Sequence, residues 1–288
     1  MTTPTQVGIA MPGKPLLEEL DVFGLTHAGR VRESNADHFL IASFHRSMRV
    51  LATSLGEGAL PTTTDSRGVL MLVADGVSSL ANAEDGSARA IDAIARSLLE
   101  MSEITSPTDP AREQQISDRL RRFVNQAHDT LLRFAEQEGG EAATTITAAL
   151  ALWPRAFIAH AGDSRCYHLR EGRLRLMTAD QTMAQAMIDA GAIQPGSAAA
   201  SRLGHVLVSA LGSSHLDIQL TVTDLQRFDR WLLCTDGLTK HVGESEIGEA
   251  LGRAASAESI CQDLVDLTLA RGGEDNVTVV VGKLREGV

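Results

Sequence analysis

The sequence predicts an α+β layered domain in which consecutive strands pack against helices. Two adjacent stretches of helical periodicity lie between groups of short apolar runs. The runs that follow succeed one another through short polar loops. Strand and helix do not alternate in the way that builds a parallel sheet, which argues against a dinucleotide-binding βαβ fold.

Residues 1–20 carry Pro4, Pro12 and Pro15 with little periodicity and are expected to form a flexible leader to a domain at 21–288. Apolar runs predict strands at 39–43, 69–74, 146–153, 157–161, 165–169, 174–177, 218–222, 231–234 and 277–282. Residues 56–67, GEGALPTTTDSR, suit a long surface loop, and R-E-G-R at 170–173 suits a hairpin. Ile91, Ile94, Leu98 and Leu99 mark a helix that stops before S-P-T-D-P, where Pro107 and Pro110 break the pattern. Ile116, Leu120, Phe123, Val124, Ala127, Leu131 and Phe134 share one face of the next. Ile260, Leu264 and Leu267 mark a third.

The chain has 288 residues, 43% of them hydrophobic and 22% charged, which describes a folded globule rather than a disordered chain. Its net charge of −11 argues against nucleic acid or an anionic membrane as the main partner, but suits a cation site. No run approaches the ~20 apolar residues of a membrane span. The N-terminus lacks a basic region followed by an apolar one, so a cytoplasmic protein is expected. Cys166, Cys234 and Cys261 show no C-x-x-C spacing and propose neither a disulfide framework nor a zinc site. His160 and His168 fall in strand patterns and are expected to be packing or surface residues rather than ligands, and Trp153 and Trp231 suit sheet-core or edge positions.

The informative residues are aspartates at strand ends. Asp75 follows V-L-M-L-V-A, Asp163 follows F-I-A-H-A-G, Asp236 follows W-L-L-C-T, and Asp275 stands just before V-T-V-V-V. One such residue is usually a turn former. Four at strands that share a rim bring carboxylates together, and these raise one another's pKa unless a cation neutralises them. Oxygen-only ligands suit Mg²⁺ or Mn²⁺ better than zinc. Near the start of the ordered region, G-R-V-R-E-S-N-A-D places Arg30 and Arg32 two residues apart, and an arginine fork grips phosphate well.

These residues resemble the metal-dependent protein serine/threonine phosphatases of the PP2C type, in their compact bacterial form. The resemblance covers about 23–283. Its motifs, in the family order, are G-R-V-R-E-S-N-A-D, V-A-D-G at 73–76, A-T-T-I-T-A-A-L at 143–150, H-A-G-D-S-R-C-Y at 160–167, L-L-C-T-D-G-L at 232–238 and G-G-E-D-N-V-T-V-V at 272–280. It implies a central β-sandwich of two antiparallel sheets flanked by helices on both sides, a four-layer αββα arrangement. It also implies two Mn²⁺ or Mg²⁺ ions bridged by Asp75. The Gly76 carbonyl would assist, Asp236 and Asp275 would complete the first ion, and Asp163 with Asp236 would hold a third, weaker one. Arg32 matches the phosphate-binding arginine, Asp37 would hold a metal-bound water, and residues 180–204 resemble a mobile flap. The implied reaction is phosphomonoester hydrolysis without a phosphoenzyme. The implied partners are phosphorylated proteins and a serine/threonine kinase or its targets, with a monomer as the default.

Several positions depart from the family pattern. Ala36 replaces the usual Glu or Gln and removes a direct ligand of the second ion. Ser78 and Ser79 replace paired glycines. Gln181 stands where many members have His, and Val77 where the animal branch has His. His27 and His38 flank the arginine segment, but the residues alone identify no general acid. They leave open a relative that binds phosphoproteins without turnover, and a phosphatase of small metabolites.

Overall fold

The structure is a computed structural model that describes residues 15, 17–44, 48–53, 68–77, 80, 82–99, 107 and 109–285. The 56–67 loop, Ser78, Ser79 and most of the 1–20 leader lie outside the described residues. The strands are β1 (Leu20–His27), β2 (Asp37–Phe44), β3 (Met48–Thr53), β4 (Gly68–Asp75), β5 (Ile146–Leu152), β6 (Arg155–Ala161), β7 (Arg165–Arg170), β8 (Arg173–Leu176), β9 (Gln219–Asp224), β10 (Arg230–Cys234) and β11 (Val277–Leu284). The helices are α1 (Ala83–Leu99), α2 (Pro110–Glu138), α3 (Met183–Asp189), α4 (Ala198–Leu203), α5 (Asp236–Thr239), α6 (Glu244–Gly252) and α7 (Ala257–Ala270).

All pairings are antiparallel, in a five-stranded sheet ordered β1-β11-β10-β7-β8 and a six-stranded sheet ordered β3-β2-β4-β5-β6-β9. Three apolar cores fill the layers. Phe39, Ile41, Met71, Val73, Leu233 and Val280 meet between the sheets. Leu40, Leu72 and Leu150 point outward from the six-stranded sheet to Ile91, Leu131 and Phe134 of α1 and α2. Leu232 and Val279 of the other sheet pack against Ile247 of α6 and Ile260 and Leu264 of α7. Successive residues of β2 therefore serve different cores, as the twofold period of a strand requires. Because both faces are covered, the central strands read as continuous apolar runs. This is the expected α+β sandwich with helices outside.

The two strands without a sequence counterpart, β1 and β3, are both sheet edges. In β1 most side chains are only partly buried, so its apolar signal is weak. Pro110, expected only as a breaker, opens α2 at the position where a missing N–H costs nothing. The Asp109 side chain caps that helix by accepting from the Arg112 N–H at 3.0 Å.

Candidate metal centre

The register delivers the predicted carboxylates to one end of the sandwich. Asp37 opens β2 directly across from Asp75, which closes β4. The Thr145 N–H, just before β5, donates to the Asp75 carbonyl at 2.8 Å. Ile146 pairs with Ala161, so the turn after β6 that carries Asp163 lies at the same end. Cys234 pairs with Val279, which brings Asp236 after β10 to Asp275 before β11. One carboxylate oxygen each from Asp75, Asp163 and Asp236 lies within 4.8 Å of the others. The backbone passes close behind. A Cβ at Gly76 would fall 2.3 Å from the Ala83 carbonyl oxygen, and one at Gly237 would fall 1.9 Å from that of Asn276.

Asp37 is buried beside this trio. Its Oδ2 accepts from the Thr235 and Thr278 hydroxyls at 2.7 and 2.9 Å, whereas its Oδ1 is buried with no hydrogen-bond partner. Burial, against those two hydroxyls, pushes Asp37 up to about 7. Burial and the charge of Asp236 push Asp163 up to about 8. Asp75, half-buried among the other carboxylates, is driven well above the usual range by lost hydration and their charge, and lost hydration raises Asp236 despite Lys240. Asp275 behaves differently. Burial opposes, but Lys240 and Arg32 hold it below its ordinary value. The set fits a hard divalent cation, since every donor is a carboxylate oxygen and one buried acceptor lacks a donor.

Asp275 stands apart from the trio. Its Oδ1 accepts from Arg32 Nε at 2.8 Å and its Oδ2 from Lys240 Nζ at 2.8 Å. The loop that carries Arg32 is pinned by Asn276. The Asn276 amide donates to the Ala28 and Ser34 carbonyls at 2.9 Å each, and its Oδ1 accepts from the Ala36 N–H at 2.9 Å. Ala36 brings no carboxylate, and its carbonyl accepts from the Gly76 N–H at 3.1 Å. Gln181 braces the turn before Asp163: the Gly162 N–H donates to Gln181 Oε1 at 2.9 Å, and the Gln181 N–H donates to the Gly162 carbonyl at 2.7 Å. Arg165 grips Asp180 through two nitrogens, at 2.8 and 2.7 Å, where the 180–204 segment begins; that segment holds α3 and α4.

A cleft of about 820 Å³ opens over the carboxylates, with Arg32, Lys240, His205 and His215 among its walls. His38 is instead buried against the Ser87 hydroxyl at 3.0 Å, and His27 accepts from the Gly29 N–H at 2.9 Å. His160 is buried between Thr147 and the Ala179 carbonyl, and His168 stacks on Trp231, so both pack as expected. All three cysteines are buried and free, and burial pushes Cys234 and Cys261 up to about 12, which rules them out as thiolate nucleophiles. Lys240, Thr235, Thr278, Asn276 and the cleft histidines escaped the sequence reading. Only Lys240 carried a usable signal, four residues after Asp236 on a helix.

The sequence family described as protein phosphatase 2C matches residues 57–268. The chain belongs to the protein phosphatase 2C family. Within this PP2C family it is 41% identical over 138 residues to the serine/threonine protein phosphatase PstP of Mycobacterium tuberculosis, covering 48% of this chain. The chain spans only about a quarter of that relative, 27% of its length. It is 30% identical over 171 residues to the serine/threonine phosphatase stp of Listeria welshimeri, covering 58% of this chain and 68% of the relative. Among solved structures, that of the M. tuberculosis phosphatase PstP/Ppp superposes with a TM-score of 0.73 at 29% identity, over 93% of this chain and 99% of the other. The catalytic domain of PstP in complex with two manganese ions superposes with a TM-score of 0.68 at 27% identity, over 93% and 99%.

Proposed function

We propose that this chain is a metal-dependent phosphatase that hydrolyses phosphoserine and phosphothreonine in proteins. The observation that carries the proposal is the convergence of Asp75, Asp163 and Asp236 beside the unpartnered Asp37 Oδ1, in a cleft rimmed by Arg32. Asp75, Asp236, Asp275 and the Gly76 carbonyl would hold two Mn²⁺ or Mg²⁺ ions, with Asp163 contributing to a third. Such ions, when bound, supply Lewis-acid polarisation of the phosphoryl oxygens and activation of water.

The chain's own residues do the positioning. Thr235 and Thr278 fix one oxygen of Asp37 and leave the other as a free acceptor for the attacking water. Arg32, rooted through its loop and tied on one side to Asp275, presents the rest of its guanidinium to the phosphate. No side chain is needed as a phosphoryl acceptor.

The expected substrates are proteins phosphorylated by a serine/threonine kinase of a bacterial signalling pair, handled by a monomer. Three buried free cysteines suit a reducing cytoplasm. No helix among the described residues is long and apolar enough to cross a membrane.

Turnover of a phosphothreonine peptide tests the proposal. Hydrolysis in Mn²⁺, its loss in EDTA, and its loss in Asp236→Asn and Asp275→Asn are expected. Folded protein that turns over none of several phosphopeptides at millimolar Mn²⁺ would overturn it.

A further inference from the structure

Lys240 follows directly on the short helix α5, and its ammonium lies between two carboxylates. Nζ is 2.7 Å from Asp236 Oδ2 and 2.8 Å from Asp275 Oδ2. These are the two aspartates that would complete the first ion with Asp75. The side chain is 39% exposed, against 18% and 20% for its partners, so a partly exposed lysine places its charge between two less exposed carboxylates. Asp275 is thereby occupied on both oxygens, by Lys240 on one and Arg32 on the other. Among the described residues no such cation lies against Asp75 or Asp163, and their oxygens remain grouped with that of Asp236.

A divalent ion drawn to these carboxylates meets the ammonium already seated between them, and two cations at one site repel. Resting on the two-ion reading above, we propose that Lys240 is a built-in counterion that competes with metal for Asp236 and Asp275. It offsets part of the rim's charge in the metal-free protein and swings aside when the ion enters. Its four-carbon chain lets it do so without moving α5, since lysine is a point charge on a flexible stem. Metal affinity is then set by a displacement, and the protein holds a metal-free state without leaving those two aspartates facing each other bare. The coupling is reciprocal: whatever holds the ammonium elsewhere strengthens metal binding by the same factor.

Direct Mn²⁺ titration, with free ion counted by electron paramagnetic resonance, tests this in wild type, Lys240→Met and Lys240→Gln. Both neutral variants are expected to bind Mn²⁺ about tenfold more tightly, within the usual range of coupling between two ligands. Lys240→Arg, which keeps the charge, should stay near wild type. In EDTA the neutral variants should melt about 2–4 °C lower, and excess Mn²⁺ should remove that difference. A merely structural lysine would loosen both states, so the opposite signs identify competition. Unchanged or weaker Mn²⁺ binding in both neutral variants overturns the inference while leaving the metal centre intact. No Mn²⁺ binding by wild type or any variant overturns the two-ion reading and this one with it.

Discussion

Strand β10 has an aspartate near each end, Asp229 buried and Asp236 half-buried, and the two live under opposite rules. Asp229, just before the strand, accepts from Arg170 Nε and Nη2 at 2.7 and 2.6 Å and from the Gln226 N–H at 2.8 Å, with His168 Nε2 at 3.1 Å. Burial works against it, yet these partners hold its carboxyl down to about 2. At the far end Asp236 joins Asp37, Asp75, Asp163 and Asp275, and among the described residues this group shares Arg32 and Lys240. Burial alone therefore does not mark a functional carboxylate. What distinguishes the rim is anionic capacity that the protein's own cations do not match, which an external cation can use.

The largest effect should be on catalysis. Asp236→Asn is expected to lower kcat/KM on a phosphothreonine peptide by more than about 100-fold, beyond the loss seen for an outer partner of a metal site. Asp229→Asn should leave the rate per folded molecule unchanged, and an equal loss there would erase the contrast between the two ends.

Stability should show the reverse. Asp229→Ala strands the Arg170 guanidinium and should cost about 3 kcal/mol in urea unfolding. Asp75→Asn in EDTA at pH 8 should instead stabilise the protein, because it removes one carboxylate from a mutually repelling group, and urea unfolding reads the sign.

The pH profile separates the ends by sign. Asp229 is depressed, so its contribution is present above the unfolded carboxyl value and is lost as pH falls toward about 2. Asp37 and Asp163 are raised in the metal-free protein, so their contribution is full in acid and fades as pH rises through about 7 and about 8. The melting temperature in EDTA should thus fall between pH 6 and 9, and Mn²⁺ should flatten that limb. A melting temperature that rose over the same interval in EDTA would contradict the assignment.

The smallest effect concerns Gln181. Gln181→Ala removes the bond to the Gly162 N–H and should cost about 1 kcal/mol, measured by thermal unfolding, with a small loss in Mn²⁺ affinity.

Much of this layout was legible in the sequence because the aspartates interrupt apolar runs. A charged residue at the end of V-L-M-L-V-A or W-L-L-C-T can only sit where a core strand surfaces. The central strands were legible for the same reason, being buried on both faces. The edges β1 and β3 were not, although the edges β8 and β9 were; in β1, Asp21, Gly24 and Thr26 interrupt the apolar residues. The short helices α3 to α6 offer too few turns for a period to declare itself. The partners of the site were hidden by distance along the chain. Thr278 is 241 residues from the Asp37 it supports, and Asn276 is 240 from Ala36. No local pattern encodes a hydroxyl that matters only once two sheets have closed on each other. The placing of the cations, with Arg32 on Asp275 and Lys240 bridging Asp275 and Asp236, likewise needed the folded geometry.

Asn276 ties one amide to three points of the arginine loop, the Ala28 and Ser34 carbonyls and the Ala36 N–H, from a position one residue before β11. The root of Arg32 is thereby welded to the same strand that presents Asp275, while its tip reaches the open cleft. Backbone and side-chain tip are thus held to different tolerances, the first fixed at three points and the second tied only to Asp275. On the proposed function, an arginine rooted this way would meet the phosphate in the same place whatever polypeptide carried it.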